Sequence, residues 1–341
     1  MKRLILVVLC TIGMTAGAQE KDSLLVMFWN MENFFDWTDQ GTSESDSDFS
    51  SYGSRHWTKG RFYAKCDAIS KSLMWIGDQY GQMPDFIGLA EIENKGVLTR
   101  LLSSTLLRKY GYGIIHYESQ DRRGIDVAAL YRKSSMSPVS TTAISPRNLQ
   151  TRDILHAKMA LKDGRTIDFI VNHNPSKYGG EEESMHKRTS VMKELKHLAD
   201  SISSGFSCEQ KDNKSNQQAN KDRHIVAMGD FNDTPRSKAL SPLIKRANLV
   251  CITEHLDGSY RYKGKWEQID HVYLSPTLFL NTDTTALHLA PQGACNFAPE
   301  FLTEPEPLYG GRRPYRTYNG MRYQGGTSDH LPVCFDLWFR W

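Results

Sequence analysis

The segment Ile225-Val226-Ala227-Met228-Gly229-Asp230-Phe231-Asn232 decides the fold, because an apolar run of strand type ends abruptly in an acid and an amide. Similar short apolar runs meet a carboxylate, an amide or an imidazole elsewhere in the chain. These runs lie in Leu25–Asn33, Phe86–Glu91, Ile167–His173, Gln268–His271 and Ser328–Val333. Strands that each carry a polar residue at one end predict a polar site at the rim of a sheet sandwich.

The residue types at these strand ends indicate the chemistry of the site. Carboxylates and amides are the hard oxygen ligands that a magnesium-type ion prefers, and imidazoles beside them suit a phosphate ester. None of the six cysteines has CxxC spacing, so a cysteine-based zinc site has no support. No Gly-rich loop follows any predicted strand, which excludes dinucleotide-binding and P-loop proteins.

The remaining pattern mixes helices with strands. Apolar residues recur every three or four positions over 62–76, 97–107 and 185–198, which predicts three amphipathic helices. At least eight strand-like runs are present, including 112–117, 126–131 and 332–339. Hairpin-length gaps late in the chain favour mixed sheets covered by helices over a strictly parallel order.

The N-terminus has the form of an export signal. Basic residues precede an apolar run, and a small-x-small sequence ends at Ala18. We therefore predict a signal peptide over 1–18 and a periplasmic or extracellular protein. Lipoprotein anchoring at Cys10 is the less favoured alternative, because Leu9 stands where lipid attachment requires a small residue.

The rest of the chain, 19–341, is predicted to form one domain, because the polar strand ends run from Asn30 to His330 and both are needed for one site. Two polar, apolar-poor stretches near 38–54 and 203–222 are predicted to be flexible insertions that add little to a core. The net charge of +3 is too small to establish a polyanionic partner. No later segment is apolar enough to cross a bilayer, so we expect no stable membrane insertion.

Five of these motifs, in order, resemble the endonuclease/exonuclease/phosphatase superfamily, which includes deoxyribonuclease, abasic-site endonucleases, sphingomyelinases and inositol polyphosphate phosphatases. The motifs are Trp29–Asn33, Gly88–Glu93, Gly229–Asp233, Gln268–His271 and Ser328–His330. They span nearly all of the chain after the predicted signal. The resemblance implies an α/β fold, a four-layer sandwich of two mixed β-sheets flanked by helices.

The resemblance also implies a metal site. Glu91 would be the principal ligand of Mg²⁺, which Mn²⁺ can replace, with Asn30 and Asp329 as further ligands. Glu32 would support these ligands or contact a second metal ion. One or two metal ions remain open at this point.

The same resemblance assigns catalytic roles. Asp230 would orient and deprotonate the attacking water, while Asn232 donates to a phosphate oxygen. Asp270 would hold one tautomer of His330, which then contacts the phosphate or shares the proton with Asp230. His173 would stabilise charge on the transition state or protonate the leaving oxygen, as in deoxyribonuclease- and sphingomyelinase-like members.

Further contacts are predicted around this centre. Asp126 is predicted to pair with His173, and Lys177 and Arg188 to bind a substrate phosphate. Arg122 and Arg123 add local positive charge. The segment 260–266 mixes aromatic and basic residues, which fits either stacking on nucleic acid or simple aromatic packing.

These features predict an exported, magnesium-dependent phosphodiesterase, with a nuclease acting on DNA or RNA as the favoured form. The alternative is a sphingomyelinase-like or other small-molecule or lipid phosphoesterase. A catalytically silent binding module is disfavoured, because Glu91, Asp230, Asn232, Asp270 and His330 are all present. Nucleic acid is the expected partner as substrate; no protein partner is evident, and we expect a monomer.

Overall fold

A computed structural model of the chain describes residues 23–39, 43–177, 179–205, 223–279 and 286–339. The predicted signal peptide at 1–18, Cys10 and most of the predicted insertion at 203–222 lie outside these residues. Within the described ranges, no helix is both long enough and apolar enough to cross a membrane.

Two six-stranded sheets form the centre of the molecule. The first contains β1 (Ser23–Phe34), β2 (Phe86–Ile92), β3 (Tyr112–His116), β4 (Asp126–Arg132), β13 (His288–Asn296) and β18 (Val333–Trp338). The second contains β5 (Met136–Ile144), β6 (Ile154–Leu161), β7 (Thr166–His173), β8 (His224–Asp230), β9 (Val250–Cys251) and β12 (Asp270–Leu274). Their orders are β13-β18-β1-β2-β4-β3 and β5-β6-β7-β8-β12-β9. Both sheets are mixed, since β1 and β2 pair in parallel, as do β7 and β8, among antiparallel neighbours.

Helices and small hairpins complete the fold. The helices are α1 (Lys59–Tyr80), α2 (Lys95–Ser104), α3 (Glu181–Ser204), α4 (Ser241–Arg246) and α5 (Pro276–Phe279), with 3₁₀ turns at Leu106–Tyr110 and Glu300–Leu302. The hairpins pair β10 (Tyr260–Tyr262) with β11 (Lys265–Glu267), β14 (Thr303–Pro305) with β15 (Arg312–Pro314), and β16 (Tyr318–Asn319) with β17 (Arg322–Tyr323).

The inner faces of the two sheets pack directly on each other. Phe86 of the first sheet stacks on Phe169 of the second, with ring centroids 3.8 Å apart and both side chains fully buried. Gly88 lies opposite Met228, and a Cβ atom at position 88 would stand only 2.7 Å from the Met228 sulfur. Burying a large apolar side chain stabilises the fold by about 1.5–3 kcal/mol, so this interface holds the two sheets together.

Helices cover both outer faces, which gives four layers. In α1 the predicted apolar stripe is buried against the first sheet, and Thr58 caps the helix by accepting a hydrogen bond from the Arg61 amide. Helices α3 and α4 pack on the second sheet, through side chains such as Met192 and Leu195. The predicted four-layer α/β sandwich of two mixed sheets is therefore confirmed.

The register of the strands brings the polar strand ends to one rim. His173 is the parallel partner of Asp230 across β7 and β8, and Asp270 is the antiparallel partner of Asp230 across β12. In the facing sheet, Asn30 pairs with Ala90, the residue before Glu91. Polar residues far apart in the sequence thus meet where the two sheets open.

The segment 38–54 differs from the prediction. Phe49 is only 5% exposed, belongs to the core beneath α1, and stacks on Phe35 with ring centroids 4.8 Å apart. The backbone amide of Ser51 donates to the Trp37 carbonyl at 3.1 Å. The prediction that this segment adds little to the core is therefore wrong, because a single aromatic side chain anchors an otherwise polar stretch.

Candidate active site

Asp230 lies at the centre of the rim, and the glycine before it explains its position. A Cβ atom at Gly229 would stand 2.1 Å from the Asn172 carbonyl oxygen, so only glycine lets β8 approach β7 this closely. The buried Asp230 carboxylate accepts from the Asn30 side-chain amide at 3.0 Å and from the Asn232 backbone amide at 2.9 Å. Burial and the neighbouring Asp270 raise the pKa of Asp230 to about 7.

His330 and Asp270 form a buried pair beside Asp230. The Nδ1 atom of His330 lies 2.7 Å from Oδ2 of Asp270, which also accepts from the Ser259 hydroxyl. Burial opposes a charged imidazole, but Asp270 and Asp230 outweigh it and hold the pKa of His330 well above its ordinary value. The other ring nitrogen of His330 faces Asp230 Oδ2 at 3.8 Å, so a proton donor stands directly beside the proposed base.

His173 has a partner that the sequence reasoning missed. Arg152 places its guanidinium against the imidazole, with Nε 3.3 Å from Nδ1 and Nη2 3.0 Å from Nε2. Arg152 is held in turn by Asp121 at 3.3 Å. Burial first, and then Arg152, lowers the pKa of His173 well below its ordinary value. The positive charge at this point of the site therefore belongs to Arg152, while His173 remains neutral.

The predicted pairing of Asp126 with His173 is wrong. Oδ1 of Asp126 accepts from the backbone amide of Ser119 at 3.1 Å and from its hydroxyl, and Oδ2 faces His116 at 3.5 Å. Asp126 begins β4 in the first sheet, whereas His173 ends β7 in the second. The side chain of Arg152 occupies the contact with His173 that the prediction gave to this acid.

Glu91 and Asp329, the two carboxylates predicted to bind a metal ion, line the same cleft. Glu91 has a left-handed backbone, with φ of 62°, and its Oε2 accepts from the Asn33 amide at 2.7 Å. Burial would raise the pKa of Glu91, but Arg123 and Arg152 outweigh it and keep the pKa low. Asp329 is paired with Arg316 at 3.3 Å. Few carboxylates on an open cleft wall fit Mg²⁺, which keeps several of its own waters.

Asn30 and Glu32 have other partners as well. The Asn30 oxygen accepts from the Glu32 amide at 2.9 Å, which leaves one lone pair on that oxygen for an ion. The Glu32 carboxylate is buried and accepts from the backbone amides of Thr317 and Tyr318 at 2.6 and 2.9 Å. Both Glu32 oxygens thus hold the start of β16, and Glu32 is not among the residues that line the cleft.

The predicted phosphate contact of Arg188 is wrong. Its side chain is fully buried, with Nε 3.2 Å from Asp233 Oδ2 and Nη1 donating to the Ser184 hydroxyl at 3.0 Å. Lys177 pairs with the other oxygen of Asp233 at 3.2 Å, but its side chain is 40% exposed and lines the cleft. Of these two predicted cations, Lys177 alone is placed where a substrate can reach it.

The cleft has a volume of about 710 Å³. Its lining residues are Asn33, Glu91, Arg123, Arg152, His173, Ser176, Lys177, Gly179, Asp230, Asn232, Tyr260, Tyr262, Glu267, Ile269, Asp329 and His330. A second groove of about 450 Å³ shares Arg123, Arg152 and Ser176 with it and also contains Arg122 and Lys187. Basic side chains therefore continue from the cleft into the adjoining groove.

The segment 260–266 combines both alternatives left open by the sequence. Tyr260 packs beside His330 with ring centroids 4.9 Å apart, and the half-exposed Tyr262 also lines the cleft. Trp266 packs against the core, while Arg261 pairs with Glu306 at 2.6 Å. The two tyrosines are available to a substrate, whereas Arg261 and Trp266 hold the hairpin in place.

Comparison with known proteins agrees with this architecture. Residues 25–338 match the model of the endonuclease/exonuclease/phosphatase family, and the chain therefore belongs to that family. Its members are hydrolases that act on phosphate esters and typically depend on a divalent metal ion. A search of curated protein sequences gave no match.

Several solved structures share the fold. A family member from Bacteroides thetaiotaomicron is 16% identical, with a TM-score of 0.55 over 93% of this chain and 95% of that one. A mannosyl-6-phosphatase of Bacteroides thetaiotaomicron is 17% identical, with a TM-score of 0.54 over 93% of this chain and 100% of that one. D. rerio TDP2 complexed with a single-strand DNA product is 15% identical, with a TM-score of 0.52 over 92% and 98%. At these identities the likeness concerns the fold.

Proposed function

We propose that the chain is an exported, magnesium-dependent phosphodiesterase that cleaves nucleic acid. The arrangement around Asp230 is the observation that carries this proposal. A buried carboxylate with a pKa of about 7 lies between a protonated His330 and the Arg152–His173 pair, on the wall of an open cleft. A base and cationic donors around one point suit attack of water on a phosphate ester.

The protein side chains divide the work of hydrolysis. Asp230 accepts a proton from the attacking water as the new P–O bond forms. His330 gives its Nε2 proton to the leaving oxygen as the old P–O bond breaks, and Asp270 stabilises the imidazolium before that step. Asn232, with one amide hydrogen beyond the one it gives to the Asn174 carbonyl, and Arg152 donate to the phosphate oxygens as negative charge builds on them.

The chemistry of Glu91 and Asp329, which line the same cleft, supports a divalent ion as cofactor. Glu91 and Asp329 would hold Mg²⁺ or Mn²⁺, with the free lone pair of Asn30 as a further donor. When bound, such an ion supplies positive charge next to a non-bridging phosphate oxygen. Since Asn30 also donates to Asp230, it links the ligand side of the cleft to the base.

The surface around the centre favours a polynucleotide. Arg123 and Arg152 belong to both the cleft and the adjoining groove. Arg122 and Lys187 add two cations to this groove, and their exposed partners, Glu44 and Glu183, would give way to a phosphate. The exposed Tyr262 offers a ring face on which a base can stack. A phosphomonoester such as a sugar phosphate would use only the central cleft, so the adjoining groove favours the nuclease.

A substrate panel tests this proposal. The purified protein is treated with chelator, then supplied with Mg²⁺ or Mn²⁺ and assayed on single- and double-stranded DNA, RNA, sphingomyelin and a sugar phosphate. We expect cleavage of a polynucleotide only with the ion, and a steep fall in affinity with rising salt, because bound phosphates release counterions. Glu91→Gln should raise the ion concentration needed. Full activity after chelation would refute the metal requirement, and turnover of the lipid or sugar phosphate alone would refute the nuclease.

Export is a separate part of the proposal and rests on the basic-apolar-small pattern of 1–18. Expression of the full chain in a bacterial host followed by fractionation should place it outside the cytoplasm, with Gln19 as the first residue of the mature protein. A cytoplasmic protein that keeps Met1 would show that this segment is no signal.

A further inference from the structure

We propose that His116, Glu118 and Asp126 form a second metal site, which takes a divalent transition ion of the zinc type. His116 ends β3 and Asp126 begins the neighbouring β4, while Glu118 follows in the connecting loop. One nitrogen of the imidazole and one oxygen of each carboxylate all lie within 4.8 Å of one another. None of the three residues lines the catalytic cleft.

A buried atom without a partner points to a ligand here. The His116 side chain is only 2% exposed, and its Nε2 makes no hydrogen bond in the described structure. The nearest acid to Nε2 is Oδ2 of Asp126 at 3.5 Å, while Oε1 of Glu118 lies 3.7 Å from the other ring nitrogen, Nδ1. Leaving a buried polar atom unpaired costs free energy, and a bound cation would satisfy the ring nitrogen and the carboxylate together.

Asp126 is already oriented for this role. Its Oδ1 accepts from both the backbone amide and the hydroxyl of Ser119, which leaves Oδ2 directed at His116. Hydrogen bonds that fix one oxygen of a carboxylate while the other binds the ion are typical of metal sites. The pairing of Asp126 with Ser119, which replaces the expected contact with His173, acquires a function in this way.

The donors and their spacing indicate the class of ion. Imidazole nitrogen with carboxylate oxygen suits zinc-type ions, and the nitrogen disfavours Mg²⁺. Bonds of about 2.05 Å in a tetrahedral site place ligand atoms about 3.4 Å apart. The 3.5 Å separation of His116 and Asp126 meets this requirement. Glu118, whose side chain is 70% exposed, would turn from Nδ1 toward Nε2 when an ion binds, and water would complete the site.

The site stands at the base of a loop that reaches the catalytic centre. Residues 117–125 connect β3 to β4, and within them Asp121 holds Arg152 while Arg123 donates to the Asn33 side chain at 2.6 Å. An ion that joins His116, Glu118 and Asp126 would fix both ends of this loop. The ion would keep Arg152 and Arg123 in place by holding the loop that contacts them, without contacting the substrate itself.

Zinc titration of the full chain tests this site. Glu91→Gln serves as the parent, so that the proposed catalytic ion site is weakened, and millimolar Mg²⁺ is present throughout. Calorimetry should detect an equivalent of Zn²⁺ that is separate from any held by Asp230, Asp270 and His330, the other candidate donor group of the described structure. Co²⁺ should give the visible absorption of a tetrahedral site. Adding Glu118→Gln or His116→Gln should weaken zinc binding by more than about 10-fold. Loss of a residue that only supports a ligand already lowers metal affinity by about 10-fold or more, and loss of the ligand itself should lower it further.

His156→Gln is the matched control, because His156 pairs with a single carboxylate, Asp168, at 2.7 Å and has no third donor in the described structure. This control should bind zinc as the parent does. Since Glu118 is exposed, Glu118→Gln preserves the fold, which circular dichroism verifies. Absence of stoichiometric zinc binding, or equal affinity in the parent and in Glu118→Gln, would overturn the proposal. Complete displacement of zinc by Mg²⁺ would overturn the class of ion.

Discussion

The Asp270–His330 pair allows a quantitative test of the proposed chemistry. Asp270 is fully buried, and its Oδ2 lies 2.7 Å from Nδ1 of His330. Asp270→Asn keeps the shape of the side chain but removes the charge that supports the imidazolium. His330→Ala removes the proton donor itself. Both changes therefore abolish the same element of catalysis, and each should reduce kcat by about 10²–10⁴-fold.

The size of the coupling follows from this shared role. If each single change costs about 10³-fold, the loss is about 4 kcal/mol at 1.36 kcal/mol per factor of ten. Independent effects would bring the double variant to about 10⁶-fold, or about 8 kcal/mol. If the two groups act as a unit, the double variant loses only about 10³-fold in kcat, the same as each single variant. We therefore expect a coupling energy of about 4 kcal/mol.

The assay is a double-mutant cycle on kcat and kcat/KM with the substrate found in the panel, together with urea unfolding. Asp270→Asn should also lower stability, because removing one charge of a buried pair leaves the other less compensated. The unfolding curves therefore identify conditions in which every variant is folded, and turnover is compared under those conditions. The partly buried pair of His156 and Asp168 provides a control cycle away from the cleft, which should leave turnover unchanged. Strict additivity of the two catalytic losses would refute the reasoning.

Three further results are expected. Arg188→Met should lower the free energy of unfolding, measured in urea, by about 3–5 kcal/mol, because it leaves Asp233 buried with less compensating charge. The KM should stay constant. A raised KM at unchanged stability would contradict the structural role of Arg188. Phe49→Ala should cost about 3 kcal/mol of stability in the same assay, whereas no loss would return this segment to a loose loop. The value of kcat/KM should rise with pH through about 7, because Asp230 must lose its proton to act as a base. A bound cation lowers the pH at the midpoint of this rise. A pH profile without any rise would exclude Asp230 as the base.

The sequence predicted the parts of the site that depend on local pattern. Polar residues at strand ends, such as Glu91 and Asp230, could be recognised because the apolar run and the side chain that follows it are neighbours in the chain. Helices over 62–76 and 185–198 were predicted for the same reason and appear as the longer α1 and α3. The order of the strands within each sheet needs contacts between distant segments, which no local pattern contains.

The wrong predictions concern long side chains whose partners come from elsewhere. Arg188 lies on the buried stripe of α3, so helical periodicity already placed it against the second sheet, yet its charge suggested a surface role. Arg152 stands two residues before the apolar start of β6 and resembles an ordinary turn residue. Its contact with His173 depends on the pairing of β6 with β7, which fixes where both side chains lie.

The pairing of β1 with β18 has a consequence for the synthesis of the enzyme. The Ser328 hydroxyl donates to the Asn30 carbonyl at 2.6 Å, and the Trp29 indole donates to the His330 carbonyl at 2.8 Å, across about three hundred residues of sequence. A growing chain that stops short of these residues contains Glu91 and Asp230 but lacks His330, the proposed proton donor. In such a chain β1 has β2 beside it but lacks its other neighbour, β18. We therefore expect the proposed activity to arise only after the last strand of the first sheet has been synthesised.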